Sequence, residues 1–281
     1  MRTRTKVWFI IAASLLLVGC IIFGGVMTML KWDFTKLSTV KYETNTYEIS
    51  EDFNNISIIA DTADILFVPS ESSKGSVVCY EQKNAKHSVT VKDGTLAIEV
   101  VNTKKWYEYI GINFGTPKIT VYIPQKEYGT LSVKSSTGDI RIENISAGEL
   151  ELSVSTGDIA VAKVKCERDI KIDVSTGKTK VTDTNCQSVV STGSTGDISF
   201  KNVIATEKFS LERSTGDLKF SSCDAAEIYV KTETGDVIGT LLSKKVFITE
   251  TDTGSIDVPK TITGGRCEIK TDTGDIKIDV L

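Results

Sequence analysis

Six aspartates that directly follow Thr-Gly pairs are the residues whose type and spacing best suggest chemistry. A column of carboxylates could supply part of the six to eight oxygen ligands that calcium takes in proteins. Two further Thr-Gly pairs of the same period are followed by Lys178 and Ser255. The six aspartates are Asp139, Asp158, Asp197, Asp217, Asp236 and Asp275.

Calcium binding is nevertheless disfavoured by the repeat itself. Calcium-binding solenoids repeat every nine residues and carry paired glycines. The turns of this chain recur every 19 or 20 residues and lack that pattern. Carboxylates in register also repel one another by about 1 kcal/mol per pair even in water. We therefore interpret each aspartate as a hydrogen-bond acceptor for its own turn, and we predict neither a metal site nor a cofactor.

The Thr-Gly pairs recur at intervals of 19 or 20 residues, which indicates a repeat architecture. Glycine at every turn suggests a backbone that needs positive φ or a corner too tight for a β-carbon. We predict that the turn glycines are structural rather than catalytic. They are Gly138, Gly157, Gly177, Gly196, Gly216, Gly235, Gly254 and Gly274.

Apolar residues alternate with polar ones on both sides of each turn, as in Leu150, Leu152 and Val154 before it and Ile159 and Val161 after it. A period of two predicts half-buried strands. One repeat is too small to bury its apolar face, so the repeats must stack. We predict an all-β parallel solenoid with rungs of about 19–20 residues, preceded by an aperiodic β cap and one N-terminal transmembrane helix.

Residues 7–30 contain no charged side chain and would form a helix of about 36 Å, long enough to cross a bilayer. Arg2, Arg4 and Lys6 precede this segment, which predicts a cytoplasmic N-terminus and an extracytoplasmic β domain. An alternative is a lipoprotein anchored through Cys20, since Leu17–Cys20 resembles a lipoprotein cleavage box. A third, less favoured interpretation is a cleaved signal peptide.

The sequence thus divides into a cytoplasmic tail (1–6), a transmembrane helix (7–30), a juxtamembrane linker or irregular first strand (31–55), a β-rich cap (56–135) and the solenoid (136–281). A separate small domain is the alternative interpretation of residues 56–135. Within the cap, Lys92–Thr95 predicts a hairpin turn, and Thr62-Ala63-Asp64 is a degenerate copy of the repeated turn. We expect the last repeat, Ile276–Leu281, to end the solenoid without a cap. Lys277 and Asp279 would then discourage edge pairing, unless the edge serves for docking.

An aromatic cluster in the cap could bind a sugar or a protein partner, or it could plug the end of the solenoid. Its residues are Trp106, Tyr107, Tyr109 and Phe114. The plug is the favoured interpretation.

Several functional classes are excluded by the composition. The net charge of −4 argues against nucleic-acid binding. His87 is the one histidine, and we expect it at the surface without a nucleophile beside it. Cys166 and Cys186 should stack in adjacent rungs, as buried thiols in preference to a disulfide. We assign no disulfide partner to Cys79, Cys223 or Cys267. We also predict that the protein is not an enzyme.

The Ser-Thr-Gly-Asp-Ile rungs, the apolar segment before them and phrases such as Cys223–Ile228 and Gly264–Cys267 resemble one bacterial family. It is a domain of unknown function with β-strand repeats, labelled "putative adhesin" and also called the toastrack group. The resemblance covers roughly residues 50–281. It implies an envelope protein, often membrane-anchored, and brings no catalytic residues. The chain departs from the pattern at Gly177–Thr179 and at Val189–Ser194, where we expect irregular rungs.

Three functions are compatible with these features. The first is a surface-interaction or adhesion module whose partner is a protein or a cell-surface glycan. The second is a regulatory or sensory protein of the envelope-stress response. The third is a scaffold that self-associates through the edges of its solenoid. An enzyme on a β-helix is disfavoured because the acidic residues are spread one per rung instead of clustering in a groove.

Overall fold

A computed structural model describes residues 3–104, 106, 113 and 115–281. The chain forms two compact units, one of residues 1–42 with 104–115 and one of residues 43–103 with 116–281. The first unit contains the helix α1 (Thr3–Met29) and a 3-10 helix (Phe34–Leu37). The second unit is built of β-strands.

The helix α1 has the composition of a membrane span. Its stretch Thr5–Met29 has a mean hydropathy of 2.6 over the most apolar window, and the protein buries none of that window. Side chains such as Trp8 and Leu16 are exposed. A helix satisfies its backbone hydrogen bonds internally, so such a segment is suited to hydrocarbon surroundings.

The second unit contains most of the twenty-one strands that the structure describes. Strands β14, β15 and β16 are long because each continues around a corner of the solenoid. The strands are β1 (Tyr42–Ile49), β2 (Asn55–Thr62), β3 (Asp64–Ser70), β4 (Gly75–Gln82), β5 (Ala85–Lys92), β6 (Thr95–Asn102), β7 (Lys118–Pro124), β8 (Glu127–Thr137), β9 (Ile140–Glu143), β10 (Ser146–Thr156), β11 (Ile159–Ala162), β12 (Lys165–Cys166), β13 (Asp169–Thr176), β14 (Thr179–Thr195), β15 (Ile198–Thr215), β16 (Leu218–Thr234), β17 (Val237–Leu241), β18 (Lys245–Thr253), β19 (Ile256–Asp257), β20 (Gly265–Thr273) and β21 (Ile276–Val280).

These strands form two rows of parallel pairs that meet at the Thr-Gly turns. The strands that precede the turns follow the order β6, β2, β8, β10, β13, β14, β15, β16, β20, β18. The strands that follow the turns have the order β7, β3, β9, β11, β14, β15, β16, β17, β21, β19. The predicted all-β parallel solenoid is therefore the fold.

The core fills the space between the two rows, with alternate residues of each strand pointing inward. Equivalent apolar residues stack on one another, as Leu150 does on Ile170 and Leu152 on Ile172. The phenylalanines Phe200, Phe209 and Phe220 pack together in the middle, with ring centroids 5.5 to 6.2 Å apart. Cys166 and Cys186 lie buried in adjacent rungs as free thiols, as predicted.

Near the middle of the solenoid, one buried arginine explains the extra Thr-Gly of residues 192–193. Arg213 points into the interior, and its Nη1 donates hydrogen bonds to the carbonyl oxygens of Val174 at 2.8 Å and Thr192 at 3.2 Å. A β-carbon on Gly193 would overlap that Nη1 atom. The local irregularity is a register shift between Cys186 and Ser188, just before the expected segment.

At the C-terminal end, the order of the rungs differs from the order of the sequence. Strands β20 and β21, which come last in the chain, lie between the rung of β16 and β17 and the rung of β18 and β19. The expectation that Ile276–Leu281 ends the solenoid, guarded by Lys277 and Asp279, is therefore wrong.

The two exchanged rungs differ at one inner position. The position that β20 fills with Ile269 is filled in β18 by Thr249, its partner in the register. Leaving a threonine at an open end exposes less apolar surface at that position than leaving an isoleucine there.

At the opposite end of the solenoid, the order of the rungs also differs from the order of the sequence, but the interior is closed. Strands β6 and β7 lie outside β2 and β3, although they come later in the chain. Two antiparallel strands follow, β5 on β6 and β4 on β7. The inner residues Leu96, Ile98, Ile119 and Val121 are each 0% exposed, so this end is sealed.

Candidate functional site

The Thr-Gly-Asp turns form one continuous edge of the solenoid. All eight turn glycines have φ values between 123° and 153°, a region that side chains other than glycine rarely enter. At Gly216, a β-carbon would also overlap the carbonyl oxygen of Gly196 in the neighbouring rung. The glycine is thus required both by the backbone angle and by the close approach of two rungs.

The turn aspartates join neighbouring rungs. Oδ1 of Asp139 accepts a hydrogen bond from the backbone amide of Asp158 at 3.0 Å, and Oδ1 of Asp158 accepts one from the amide of Lys178 at 2.7 Å. The interpretation that each aspartate serves its own turn is wrong, because the acceptor always lies one rung away from the donor. The ladder includes Asp64, whose Oδ1 accepts from the amide of Asp139 at 3.0 Å.

This ladder gives the aspartates a structural role. Within the described residues, no three turn carboxylates come close enough together to share a metal ion. The turn at Gly177 keeps the common pattern, since its amide donates to the carbonyl of Thr195 at 2.9 Å. The irregular rung expected at Gly177–Thr179 is therefore absent.

Charged side chains on the outer faces are paired between rungs. Nζ of Lys171 lies 2.6 Å from Oε1 of Glu149 and 3.3 Å from Oε1 of Glu151. The hydrogen bond from Lys171 holds the pKa of the Glu149 carboxyl below its ordinary value. Lys270 and Glu250 form a similar pair at 2.7 Å. Such pairs compensate part of the charge on these regular outer faces.

A buried polar cluster lies at the sealed end, and the sequence had not revealed it. His87 is 6% exposed, so the expectation of a surface histidine is wrong. Its Nδ1 lies 2.6 Å from Oε2 of Glu81, which is 0% exposed. Cys79 belongs to the same group, and burial together with the charge of Glu81 raises the pKa of its thiol to about 12. The described residues contain this one group that could hold a metal ion.

The end of the solenoid formed by β18 and β19 is open. Ile256 points inward, in register with the fully buried Ile276, yet it is 46% exposed because no rung formed by the described residues covers it. Phe247 and Val258 are partly buried beside it. On the outer face of β18, Ile248 is 48% exposed. Among the described residues, β18 has a partner strand on one side only, and that partner is β20.

The structure describes one of the four residues of the aromatic cluster in the cap. Trp106 belongs to the first unit and is 77% exposed. Tyr107, Tyr109 and Phe114 lie outside the described residues. In the same unit, the hydroxyl of Tyr42 hydrogen-bonds to Oδ1 of Asn113 and to the carbonyl oxygen of Gly115.

Comparisons with solved structures find resemblances to bacterial proteins at low sequence identity. A "putative adhesin" from Bacteroides fragilis is similar over 85% of this chain and 97% of its own, with 20% identity and a TM-score of 0.55. A "putative adhesin" from Parabacteroides distasonis covers 85% of this chain and 98% of its own, with 12% identity and a TM-score of 0.47. A comparison with curated proteins finds no match.

A family comparison agrees with the fold. The family model described as Toastrack DUF4097 matches residues 53–189 and 167–281, which together span the cap (56–135) and the solenoid (136–281). The stacked Thr-Gly turns and the matched residues lead to the same conclusion, that this chain belongs to the Toastrack DUF4097 family.

Proposed function

We propose that this protein is a membrane-anchored, non-enzymatic module that holds a rigid β-solenoid outside the cytoplasm for interaction at the bacterial cell surface. The observation that carries the proposal is the apolar segment Thr5–Met29, whose most apolar window the protein leaves uncovered. Burying it in lipid removes a large apolar surface from water. Arg4 precedes this segment and Lys6 lies at its start, which favours a cytoplasmic N-terminus.

The character of the solenoid surface supports an interaction role over catalysis. Outer charges are paired between rungs, as Lys171 is with Glu149. The titratable groups that converge, Glu81 and His87, are enclosed instead of lining a groove. General acid–base catalysis requires such groups within reach of a substrate. The B. fragilis neighbour is described as a "putative adhesin", which is consistent with this proposal.

Protease accessibility tests the anchoring and the orientation. The full chain, carrying an epitope tag after Leu281, is expressed in a bacterial host, and protease is added to intact spheroplasts. We expect the tag to be digested and the protein to remain in the membrane fraction through carbonate washing. A tag that is protected until the membrane is lysed would refute the extracytoplasmic orientation.

A Cys20→Ala variant separates the membrane span from the lipid anchor. Lipid attachment requires the Cys20 thiol, whereas the span depends on the apolar side chains of α1. We expect Cys20→Ala to remain in the membrane fraction at its normal molecular mass. A wild-type protein that is shorter than the Cys20→Ala variant, because it is cleaved before Cys20, would establish the lipoprotein alternative instead.

The open end favours self-association as a second function. An unpaired edge strand is a template for another strand, and β18 with Ile256 and Ile248 offers such an edge with exposed apolar side chains. The opposite interior is sealed at Leu96 and Ile119. Two copies would therefore pair through their open ends about a two-fold axis, and the assembly would close at a dimer instead of growing into a filament.

Sedimentation of the full chain in detergent micelles tests this pairing. We expect a dimer whose dissociation constant rises at least ~10-fold in Ile248→Lys, because a charge would be brought into the interface. Ile59→Lys is the matched control, since Ile59 is also a strand isoleucine and is 49% exposed, but far from the open end. A monomer at all concentrations, or equal effects of both variants, would contradict self-association through β18.

A further inference from the structure

We propose that Cys79, Glu81 and His87 form a binding site for a zinc-type divalent cation at the sealed end of the solenoid. The three side chains offer one sulfur, one oxygen and one nitrogen, and these atoms all lie within 4.8 Å of one another. The side chains are enclosed, since Cys79 and Glu81 are 0% exposed and His87 is 6% exposed. Among the described residues, no other group of three such side chains converges in this way.

Strand geometry brings these residues together. Cys79 and Glu81 are two residues apart on β4, so their side chains lie on the same face. The chain then reverses, with Gln82 paired to Ala85, and β5 carries His87 back beside them. The site is therefore formed by a single hairpin, and it needs no residue from the solenoid repeats.

The donor set selects the class of cation. Thiolate, imidazole and carboxylate are the ligands of zinc, at about 2.0–2.3 Å from the metal. Calcium and magnesium prefer oxygen ligands alone, and Cys79 and His87 supply none. Three protein ligands leave a fourth position of a tetrahedral site, as zinc centres with an open position do.

Neighbouring groups already orient the carboxylate. Nδ2 of Asn45 donates to Oε1 of Glu81 at 2.6 Å, and the backbone amide of His87 donates to Oε2 at 2.6 Å. In known metal sites, hydrogen bonds of this kind, from groups that do not bind the metal themselves, fix the orientation of the ligands. A cation would replace the contact between Nδ1 of His87 and Oε2 of Glu81, while Asn45 and the amide of His87 would keep holding the carboxylate. Because Asn45 lies on β1, the cation would tie β1 to the hairpin.

Cobalt binding to the full chain in detergent micelles tests the site directly. After removal of metal by a chelator, Co²⁺ is added and the thiolate-to-cobalt absorption in the near ultraviolet is recorded. We expect one equivalent to bind, Zn²⁺ to displace it, and Zn²⁺ to raise the thermal midpoint. Cys79→Ser should abolish the absorption, and Asn45→Ala should weaken Zn²⁺ binding on the order of 10–100-fold.

Cys223→Ser is the matched control, because Cys223 is a free thiol with 0% exposure outside the cluster. It should leave the cobalt spectrum unchanged. If Cys79→Ser fails to fold, Glu81→Gln and His87→Gln each test the site by loss of zinc affinity. Absence of a saturable cobalt–thiolate absorption, or its persistence in Cys79→Ser, would overturn the proposal and leave the cluster as a buried Glu81–His87 pair.

Discussion

The backbone amide of Gly235 donates a hydrogen bond to the carbonyl oxygen of Thr273 at 2.9 Å, not to that of Thr253 in the next repeat of the sequence. Gly274 in turn donates to Thr253 at 2.9 Å. The last two repeats have therefore exchanged places, and the rung of β18 and β19 forms the open end. Both the stability of that end and its capacity to bind a partner depend on this exchange.

Two isoleucines in equivalent positions should differ in their contribution to stability. Ile276 is 0% exposed, whereas its register partner Ile256 is 46% exposed. Ile276→Ala should cost about 2–5 kcal/mol through the cavity it leaves. Ile256→Ala should cost no more than ~1 kcal/mol, since half of its surface is already in water. Thermal midpoints of the full chain in detergent give the ranking, and the reverse ranking would indicate that the repeats stack in sequence order.

The turn glycines should tolerate no β-carbon. In Gly216→Ala, the new atom would meet the carbonyl oxygen of Gly196, and the backbone would keep an unfavourable φ. Gly94→Ala is the control, because Gly94 has a φ of 70° but open space around it. That substitution should lower the free energy of unfolding by only ~1–2 kcal/mol, which is the cost of a left-handed conformation for a residue other than glycine. A thermal midpoint lowered equally by both would show that the close approach of the rungs contributes nothing.

The turn aspartates should act through one acceptor oxygen and not through their charge. Oδ1 of Asp217 accepts from the amide of Asp236 at 3.0 Å. Asp217→Asn keeps an acceptor and should leave the thermal midpoint nearly unchanged, whereas Asp217→Ala should cost about 1 kcal/mol. Added calcium should not shift the midpoint of the wild type. A calcium-dependent rise that disappears in Asp217→Asn would restore the calcium interpretation.

The buried thiols should be inert in the folded protein. Burial raises the pKa of Cys186 and of Cys267 to about 12, with the nearby Lys245 partly opposing this at Cys267. Only the thiolate reacts with alkylating reagents, so the five cysteines of the solenoid unit should stay unlabelled at neutral pH in a Cys20→Ser background. All five should react in denaturant. Rapid labelling under native conditions would contradict the enclosed core.

Local features of the fold were predictable because their signals are contained in short segments. Lys92–Thr95 forms the predicted hairpin turn, with Asp93 and Gly94 both at positive φ. The degenerate Thr62-Ala63-Asp64 occupies the turn column, since the amide of Ala63 donates to the carbonyl of Thr137 at 2.9 Å. The Thr-Gly period likewise predicted the parallel rungs.

The order of the rungs was not predictable, because every turn carries nearly the same residues and can pair with any other. The turn at Gly235 fits the turn at Gly254 as well as the turn at Gly274 by sequence alone. The buried cluster was missed for a related reason. The position of His87 beside Cys79 depends on the reversal after Gln82, and no Gly- or Pro-rich turn signal marks it.

Chemical cross-linking of paired cysteines tests the exchanged rungs most directly. In the structure, Lys231 lies beside Lys270, and Glu250 lies on the far side of Lys270. Adjacent strands are about 4.8 Å apart, so Lys231 and Glu250 are separated by roughly twice that distance. In a Cys20→Ser background, Lys231→Cys with Lys270→Cys should cross-link rapidly with a short bifunctional thiol reagent, and Lys231→Cys with Glu250→Cys should not. Efficient cross-linking of the second pair and failure of the first would contradict the exchange.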